Sequence, residues 1–450
     1  MKIMHTTSPA QTSRRTFLKT LGSAAFAAPF ITSGLLANPP STRVRHASFG
    51  TAGMAWEDIR MLAGAPNVEI VALCDVDTKR AGEAQKHFPK ARFYQDWRKL
   101  LEAEAGNIDS VNVSTPDHMH APIAVSSMLL GKAVYGQKPL AHNLYETRRM
   151  VEIAREKQVA TQMGIQIHSG AYYRGAVSLL RSGVIGKVKE VHSWSGKFWG
   201  DNNPLPNRED PVPAHFDWDL WLGVREARPF IGGRYYHPEN WRKRLDFGVG
   251  TLGDMACHIF DPVFGALGLG APISVRSEGP APGKTNWAIN AQIVLTFKGT
   301  AQTAEDTIKV TWYDGRARPP AEIIALIEKE PKTLPGQGSI FVGTDGVLFL
   351  EHINPARLFP SEKFADFKFP RERSNNHWIQ FIEAVRDNGK TSAGFDFAGP
   401  LTEAVLLGGV ASRFPKTELK WDAAALKFDL AEANQYVRVP YRKGWEVEKL

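Results

Sequence analysis

The sequence lacks the features that mark several common protein classes. Only Cys74 and Cys257 occur among 450 residues, and both lie in apolar stretches. We therefore expect buried thiols rather than a disulfide framework or a metal site. Beyond the N-terminal region no apolar run is long enough for a membrane span. No run rich in Lys and Arg follows it either, which argues against nucleic-acid binding despite a net charge of +8.

Acidic residues are absent from the first forty positions, where all four charged side chains are basic: Lys2, Arg14, Arg15 and Lys19. The segment 13–19 reads Ser-Arg-Arg-Thr-Phe-Leu-Lys and precedes a weakly apolar run of small residues at 21–37. This order is typical of a twin-arginine export signal. An amphipathic first helix is the alternative. The pattern predicts a signal peptide at 1–40, recognition by the twin-arginine translocase and a periplasmic protein.

Strand-like and helix-like stretches alternate from residue 41 to residue 164. The apolar, strand-like runs lie at 44–49, 68–73, 91–93, 110–114 and 133–136. The helical stretches between and after them lie at 56–63, 78–87, 97–105, 120–130 and 145–157. Alternation at this spacing indicates βαβ units and a parallel sheet. Residues 41–164 therefore predict a Rossmann-type, doubly wound parallel sheet domain.

Beyond residue 164 strands follow one another without intervening helices. They are expected at 188–198, 288–297, 307–312 and, as a hairpin around Gly343-Thr344-Asp345-Gly346, at 338–351. This pattern predicts an open, mostly antiparallel sheet whose wet face forms a substrate surface. The fold class is therefore α/β plus α+β.

Three further parts of the second half complete the predicted organisation. We assign 165–375 to an α+β domain for substrate binding and oligomerisation, with 200–244 as a long functional loop. The final segment, 376–450, carries helices at 376–388 and 400–412 that pack back on the other domains.

The first strand-to-helix turn is built from small residues. It comprises Gly50, Thr51, Ala52, Gly53, Met54 and Ala55. In a dinucleotide-binding unit this turn lets the pyrophosphate approach backbone N–H groups at a helix N-terminus. The match to G-x-G-x-x-G is imperfect, because alanine replaces the second and third glycines, and a plain tight turn is the alternative. Its position between a strand and a helix favours cofactor binding.

Asp75 follows the second predicted strand and is the candidate ribose ligand. A carboxylate there accepts hydrogen bonds from the adenosine ribose hydroxyls and repels a 2′-phosphate. We therefore predict NAD as the cofactor. Lys79 and Arg80 keep NADP as an alternative, and a turn-capping Asp is the other reading of Asp75.

Several motifs resemble the glucose-fructose oxidoreductase / inositol dehydrogenase / rhizopine-catabolism (Gfo/Idh/MocA) family. They are Ser-Thr-Pro-Asp-His-Met-His at 114–120, Gln-Lys-Pro at 137–139, Asp-x-x-x-His at 254–258, and the segments 181–186 and 441–445 of its exported bacterial branch. The resemblance implies that Ser114, Thr115, Pro116, His120, Lys138 and Gln166 line the cofactor. It also implies a saccharide or cyclitol substrate and a homo-oligomer, dimer or tetramer. Gln137 departs from the family's Glu-Lys-Pro signature.

Removing a hydride from an alcohol leaves a proton on its oxygen, so a base and a stabilising donor are needed. With the family match, Lys138 is the candidate donor and His258 the base. Asp254 lies four residues before His258 on one predicted helix face, so the two engage the same substrate hydroxyls or tune each other. The alternative interpretation of Asp254 and His258 is a surface ion pair or half of a metal site. We predict no metal, because no third ligand stands out.

Further residues are candidates for the substrate. His168 lies with Gln166 at a predicted strand end facing the cleft, and Arg174 follows one helical turn on. Tyr236 and Trp241 belong to a group of aromatic side chains suited to stacking on sugar rings. His237 and Arg242 lie in the same loop.

These expectations combine into an exported NAD(P)-dependent oxidoreductase that acts on a CH–OH or keto group of a saccharide or cyclitol and retains its cofactor. An NAD-dependent glycoside hydrolase that oxidises a ring hydroxyl transiently is the runner-up. The third hypothesis is a non-catalytic sugar-binding protein with a degenerate Rossmann domain.

Overall fold

A computed structural model of the protein describes residues 43–327 and 333–450. The predicted export signal at 1–40 lies outside these residues and stays a prediction. Within the described ranges, no helix combines the length and apolar character needed to cross a bilayer.

The first sheet has six strands, all parallel, in the order β3-β2-β1-β4-β5-β6. The strands are β1 (Val44–Phe49), β2 (Val68–Cys74), β3 (Arg92–Tyr94), β4 (Ser110–Val113), β5 (Ala133–Gly136) and β6 (Thr161–Met163). The helices are α1 (Met54–Ala63), α2 (Gly82–His87), α3 (Trp97–Glu104), α4 (His120–Leu129) and α5 (Leu144–Lys157). Every residue of β4 and β5 is buried, as expected of central parallel strands covered on both faces. The predicted Rossmann sheet is confirmed.

The helix predicted at 78–87 begins only at Gly82. Thr78 instead donates its backbone N–H to the His215 carbonyl, 2.9 Å away. The Asp77 carboxylate accepts the N–H groups of Lys79 and Arg80 at 3.1 and 3.0 Å. These tertiary bonds hold the segment as a turn.

The second sheet has nine strands in the order β13-β12-β11-β7-β10-β9-β8-β14-β15. They are β7 (Val188–Ser195), β8 (Ser274–Ser277), β9 (Gln292–Lys298), β10 (Thr307–Asp314), β11 (Gln337–Gly343), β12 (Val347–Glu351), β13 (Arg357–Phe359), β14 (Glu418–Asp422) and β15 (Lys427–Phe428). Only β7 and β10 pair in parallel; the other pairs are antiparallel. The mostly antiparallel sheet and its hairpin between β11 and β12 are confirmed.

The remaining helices cover this sheet or return to the first one. They are α6 (Ala171–Arg181), α7 (Trp218–Leu222), α8 (Cys257–Ile259), α9 (Asp261–Leu267), α10 (Ala321–Ala325), α11 (His377–Arg386) and α12 (Phe395–Ser412). Helix α12 is buried on nearly every side and contacts α5 and β6 as well as β8 and β9. Apolar residues of both sheets consequently belong to one hydrophobic core. This shared core fixes the position of one sheet relative to the other.

Two observed element boundaries differ from the predicted ones. The strand predicted at 288–297 begins at Gln292, because Asn290 has a φ of 62° and the N–H of Ala291 is bonded to the Asp314 carboxylate. The helix predicted from Pro400 begins five residues earlier, at Phe395.

Candidate functional site

A cavity with a volume of about 480 Å³ lies where the ends of the two sheets meet. On one side are the carboxyl ends of β1, β2, β4 and β5, the edge at which parallel α/β sheets bind ligands. On the other side are Lys197, Gln337 and His352, at the ends of β7, β11 and β12. The second sheet thus meets this cavity with the ends of its strands, whereas the substrate surface was predicted on its wet face.

All the residues predicted to bind the cofactor line this cavity: Gly50, Thr51, Ala52, Gly53, Met54, Asp75, Ser114, Thr115, Pro116, His120, Lys138 and Gln166. Gly50 has a φ of 93°, and a Cβ atom there would lie 2.5 Å from the Ser114 carbonyl oxygen. Gly53 has a φ of 64° and precedes α1 without a capping side chain. The first N–H groups of this helix thus remain available to a pyrophosphate.

Two buried polar atoms of the cavity wall also have unused hydrogen-bonding capacity in the described part of the chain. Thr115 Oγ1 and Gln166 Oε1 have no hydrogen-bond partner among the residues that the structure describes. Buried polar groups are ordinarily paired. The tight glycine turn and these two atoms together fit a bound dinucleotide.

Asp75 holds the turn as well as facing the cavity. Its Oδ2 accepts the backbone N–H and the hydroxyl of Thr51 at 2.9 and 2.7 Å, and its Oδ1 accepts the N–H of Asp77 at 3.0 Å. Burial raises the pKa of Asp75, and these donors oppose the rise. Oδ1 keeps an acceptor position for a ribose hydroxyl.

We predict that Asp75→Ala weakens NAD binding about tenfold or more and improves NADP relative to NAD, because a charged acceptor and its repulsion of phosphate disappear together. Titration calorimetry with each dinucleotide measures both effects. Thr51→Val is the control: it removes one bond within the turn, keeps the carboxylate, and should keep the preference for NAD. An unchanged preference in Asp75→Ala would assign ribose recognition to another residue.

Gln137 stands where the family signature has glutamate, and a neighbouring carboxylate, Asp58, explains this difference. Gln137 Nε2 donates to Asp58 Oδ2 at 2.8 Å, Ser114 donates to the same oxygen at 2.7 Å, and Trp378 donates to Oδ1 at 3.0 Å. Burial raises the pKa of Asp58 to about 6, and the three donors limit the rise. A glutamate at 137 would place a second carboxylate against Asp58 and remove a donor.

Gln137→Glu is accordingly expected to lower the free energy of unfolding by about 1–3 kcal/mol at neutral pH. The loss should shrink on acidification, because a protonated carboxyl can again donate to its neighbour. Urea denaturation at several pH values measures both trends. The double variant Asp58→Asn/Gln137→Glu exchanges donor and acceptor and should recover much of the loss; full stability of the single variant would contradict this account.

Asp254 lies at the centre of a cluster of cations. Its Oδ1 accepts from Lys138 Nζ at 2.8 Å and lies 3.4 Å from Arg242 Nε. Its Oδ2 accepts from Lys197 Nζ at 3.1 Å and from Trp199 Nε1 at 2.8 Å. Burial opposes its ionisation, but the charges of Lys138, Arg242 and Lys197 outweigh burial and hold the pKa of Asp254 well below its usual range.

Asp254 has more partners than the predicted pairing with His258. Its oxygens bind Lys138 and Lys197 from other segments, and its negative charge also acts to raise the pKa of His258, against the effect of burial. Three cations around one carboxylate leave a surplus of positive charge. Such a surplus stabilises negative charge that develops on a substrate oxygen.

His258 lines the same cavity from α8 and is buried. Its Nδ1 has no hydrogen-bond partner within the described ranges. Burial, Lys138 and His352 all lower the pKa of His258 well below its usual value. The imidazole is therefore neutral at neutral pH and able to accept a proton.

Lys197, Asp117 and His352 are among the polar residues of the cavity that sequence reasoning missed. Burial raises the pKa of Asp117 to about 7, against the opposing charges of Arg242 and Lys138. His352 bonds through Nδ1 to the Tyr173 hydroxyl at 2.7 Å, and burial lowers its pKa to about 4. The only signal for His352 was a polar residue just past a strand-like run.

Of the four predicted substrate residues, Trp241 lines the cavity, whereas His168, Arg174 and Tyr236 do not. His168 bonds Asp261 at 2.7 Å, and Arg174 lies 3.4 Å from Glu372. Tyr236 is buried in an aromatic cluster. His168 and Arg174 thus contact acidic side chains from distant segments, and Tyr236 packs within its own loop.

The functional loop predicted at 200–244 lies against the Asp75 end of the cavity, and we call residues 201–247 the covering loop. Trp221, His237 and Trp241 of this loop line the cavity, and its other aromatics form a small core of their own. Two backbone bonds tie it to residues 76–78, and His237 Nε2 lies 3.0 Å from Asp77 Oδ2.

Among the described residues, no group of three or more His, Cys, Asp or Glu side chains is placed to hold a metal ion. Cys74 and Cys257 are free thiols, and both are buried.

Two family models match the chain. Residues 44–165 match the NAD-binding Rossmann fold of an oxidoreductase family, and residues 178–316 match the C-terminal alpha/beta domain of that family. Together these segments make up more than half of the chain. The first domain is therefore an NAD-binding one.

Individual relatives match over part of their length. The chain is 24% identical to levoglucosan dehydrogenase of Pseudarthrobacter phenanthrenivorans over 190 residues, 42% of this chain and 40% of that enzyme. It is 27% identical to an alpha-N-acetylgalactosaminidase of Shewanella oneidensis over 164 residues, 34% of this chain and 35% of that enzyme. The chain thus spans less than half the length of these curated relatives.

Solved structures share the fold over most of the chain. The WlbA dehydrogenase from Bordetella pertussis, in complex with NADH and UDP-GlcNAcA, has a TM-score of 0.58 at 16% identity, with 84% of this chain and 99% of that chain covered. At this identity the likeness shows the fold alone.

Proposed function

The chain belongs to the Gfo/Idh/MocA oxidoreductase family, with an NAD-binding Rossmann domain, and from this premise we propose that it interconverts a hydroxyl and a keto group on a saccharide or cyclitol. The observation that carries the proposal is the placing of Lys138 and His258 in one cavity with the glycine turn. The relation to a levoglucosan dehydrogenase supports a sugar-like substrate.

The chain's own residues handle the proton and the charge. Asp254 holds the Lys138 ammonium through its carboxylate and its backbone carbonyl, at 2.8 and 2.7 Å. Lys138 donates to the reacting oxygen and stabilises its negative charge, while neutral His258 accepts the hydroxyl proton. A bound nicotinamide supplies the hydride acceptor or donor. Reduction of a keto group uses the same residues in reverse.

We also propose that the protein is exported through the twin-arginine route and keeps its dinucleotide. That route carries folded proteins, so a cofactor acquired in the cytoplasm can travel with the protein, whereas the periplasm offers no obvious pool of NAD. Tethering of the covering loop beside Asp75 supports slow release. Retention requires that the cofactor be regenerated in place, by a second substrate or by reversal of the oxidation step.

We further propose, by family resemblance, that the protein forms a homo-oligomer. Size-exclusion chromatography with light scattering tests this proposal.

A glycosidase is the second candidate, favoured by the relation to an alpha-N-acetylgalactosaminidase. Transient oxidation of a ring hydroxyl would acidify the neighbouring C–H, permit elimination of the aglycone and then be reversed. Cleavage of an aryl glycoside without net nicotinamide turnover would select this candidate.

Denaturing the purified protein and identifying the released dinucleotide by mass tests the proposed function, followed by a saccharide screen for changes in nicotinamide absorbance. We expect NAD or NADH and a change with at least one sugar class. A protein that binds sugars but never alters the nicotinamide would be the non-catalytic alternative.

A further inference from the structure

A second cavity, about 530 Å³ in volume, adjoins the first. Gln166 and Ile167 line both cavities. His352 lines the first cavity, and the next residue, Ile353, lines the second. The two spaces therefore share a boundary formed by the same two short segments.

The wall of the second cavity carries an exposed aromatic ring beside polar groups. Tyr172 is 50% exposed although its neighbour Tyr173 is buried. Ser374, Asn375 and Asn376 form a polar stretch on the same wall and are exposed to solvent. The Asn376 side-chain oxygen caps α11, which leaves its amide N–H groups free to bond a ligand. A flat ring next to amides and hydroxyls suits a sugar, with its apolar C–H face and polar rim.

The turn at the boundary is kept in a strained conformation. Ile353 has a φ of 60°, in the left-handed region that β-branched residues rarely adopt, and its side chain is 57% exposed. The turn is fixed from both sides: His352 donates its N–H to Gln337 at 3.2 Å, and its ring bonds Tyr173 at 2.7 Å. Strain retained in an exposed apolar residue is typical of ligand-binding positions.

From this geometry we infer that the second cavity is a subsite for a second sugar ring, and that the substrate is a disaccharide or longer glycoside rather than a free monosaccharide. This inference rests on the proposed function, because it places the reacting ring beside Lys138 and His258. The second ring then stacks on Tyr172 and bonds the polar groups of 374–376.

The test compares matched pairs of sugars, each a monosaccharide and a disaccharide that contains it, such as glucose with maltose and cellobiose, and galactose with lactose. Titration calorimetry on the NAD-loaded full chain gives the affinity, and nicotinamide absorbance gives the reaction. In at least one pair the disaccharide should bind roughly three- to tenfold more tightly. Tyr172→Ala should remove most of this difference without changing monosaccharide affinity, and Tyr172→Phe should keep it.

The possible failures are distinguishable. The subsite is overturned if both sugars of every pair bind with equal affinity, or if Tyr172→Ala weakens the binding of both sugars equally. The proposed function remains intact in either case if monosaccharides still alter the nicotinamide. If no sugar of either size binds or alters the nicotinamide, the proposed function fails and the subsite with it. Because Tyr172 is half exposed, thermal denaturation should show all three proteins equally folded.

Discussion

Lys138→Ala is expected to lower kcat by a factor of about 10²–10⁴ while NAD still binds. The ammonium is the only group in the cavity that Asp254 holds through both its carboxylate and its carbonyl among the described residues. Its loss removes the donor that stabilises charge on the reacting oxygen. Cofactor binding persists because the glycine turn and Asp75 are untouched.

Steady-state kinetics on the sugar found in the screen, with calorimetric titration of NAD, measures these two effects separately. Lys197→Ala is the matched control, since Lys197 also bonds Asp254 but has a side chain that is 45% exposed. Its effect on kcat should be much smaller. Equal losses in the two variants would show that the charge of the cluster matters and the position of Lys138 does not.

His258→Ala is expected to lower kcat by a similar factor of about 10²–10⁴, because the hydroxyl proton loses its acceptor. Added imidazole should restore part of the activity, which a purely structural role for His258 would not allow. In the unaltered protein, burial and the neighbouring Lys138 hold the pKa of His258 well below its usual value. The imidazole therefore stays neutral on mild acidification, and its titration should not reduce the rate near pH 6.5.

His168→Asn serves as the control for this variant, since His168 is a partly buried histidine outside the cavity that bonds Asp261. It should alter stability and leave kcat nearly unchanged. Full activity of His258→Ala would remove His258 from the mechanism and leave Asp117 as the candidate proton acceptor.

The sequence predicted the parts of the fold in which local pattern and burial agree. The bounds of β1 and β5 were correct to the residue, and β5 shows the continuous apolar run that central parallel strands favour. The short strands β8, β14 and β15 carry too few residues to show a period. Residues 78–81 are helix-like in composition, but Asp77 binds two of their N–H groups and Thr78 is bonded to His215, a partner that the local pattern does not contain.

The candidate site likewise has parts that the sequence predicted and parts that it did not. The glycine turn, Asp75 and Lys138 follow strand ends of a recognisable sheet, so their meeting at one edge was predictable. The surroundings of Asp254 were not, since Lys138, Lys197 and Arg242 reach it from three separate segments. Spacing along a helix could indicate only His258, because it describes only neighbours on the same helix.

The most direct test of the central claim, a sugar-directed oxidoreductase that retains its dinucleotide, is to gel-filter the exported protein in cofactor-free buffer and assay it with no NAD added. Retention through many turnovers corresponds to sub-micromolar affinity or tighter at ordinary association rates. We predict that the nicotinamide signal and the activity on the sugar both survive. Loss of both, with recovery on adding NAD, would contradict retention and leave a conventional dehydrogenase with an exchanging cofactor.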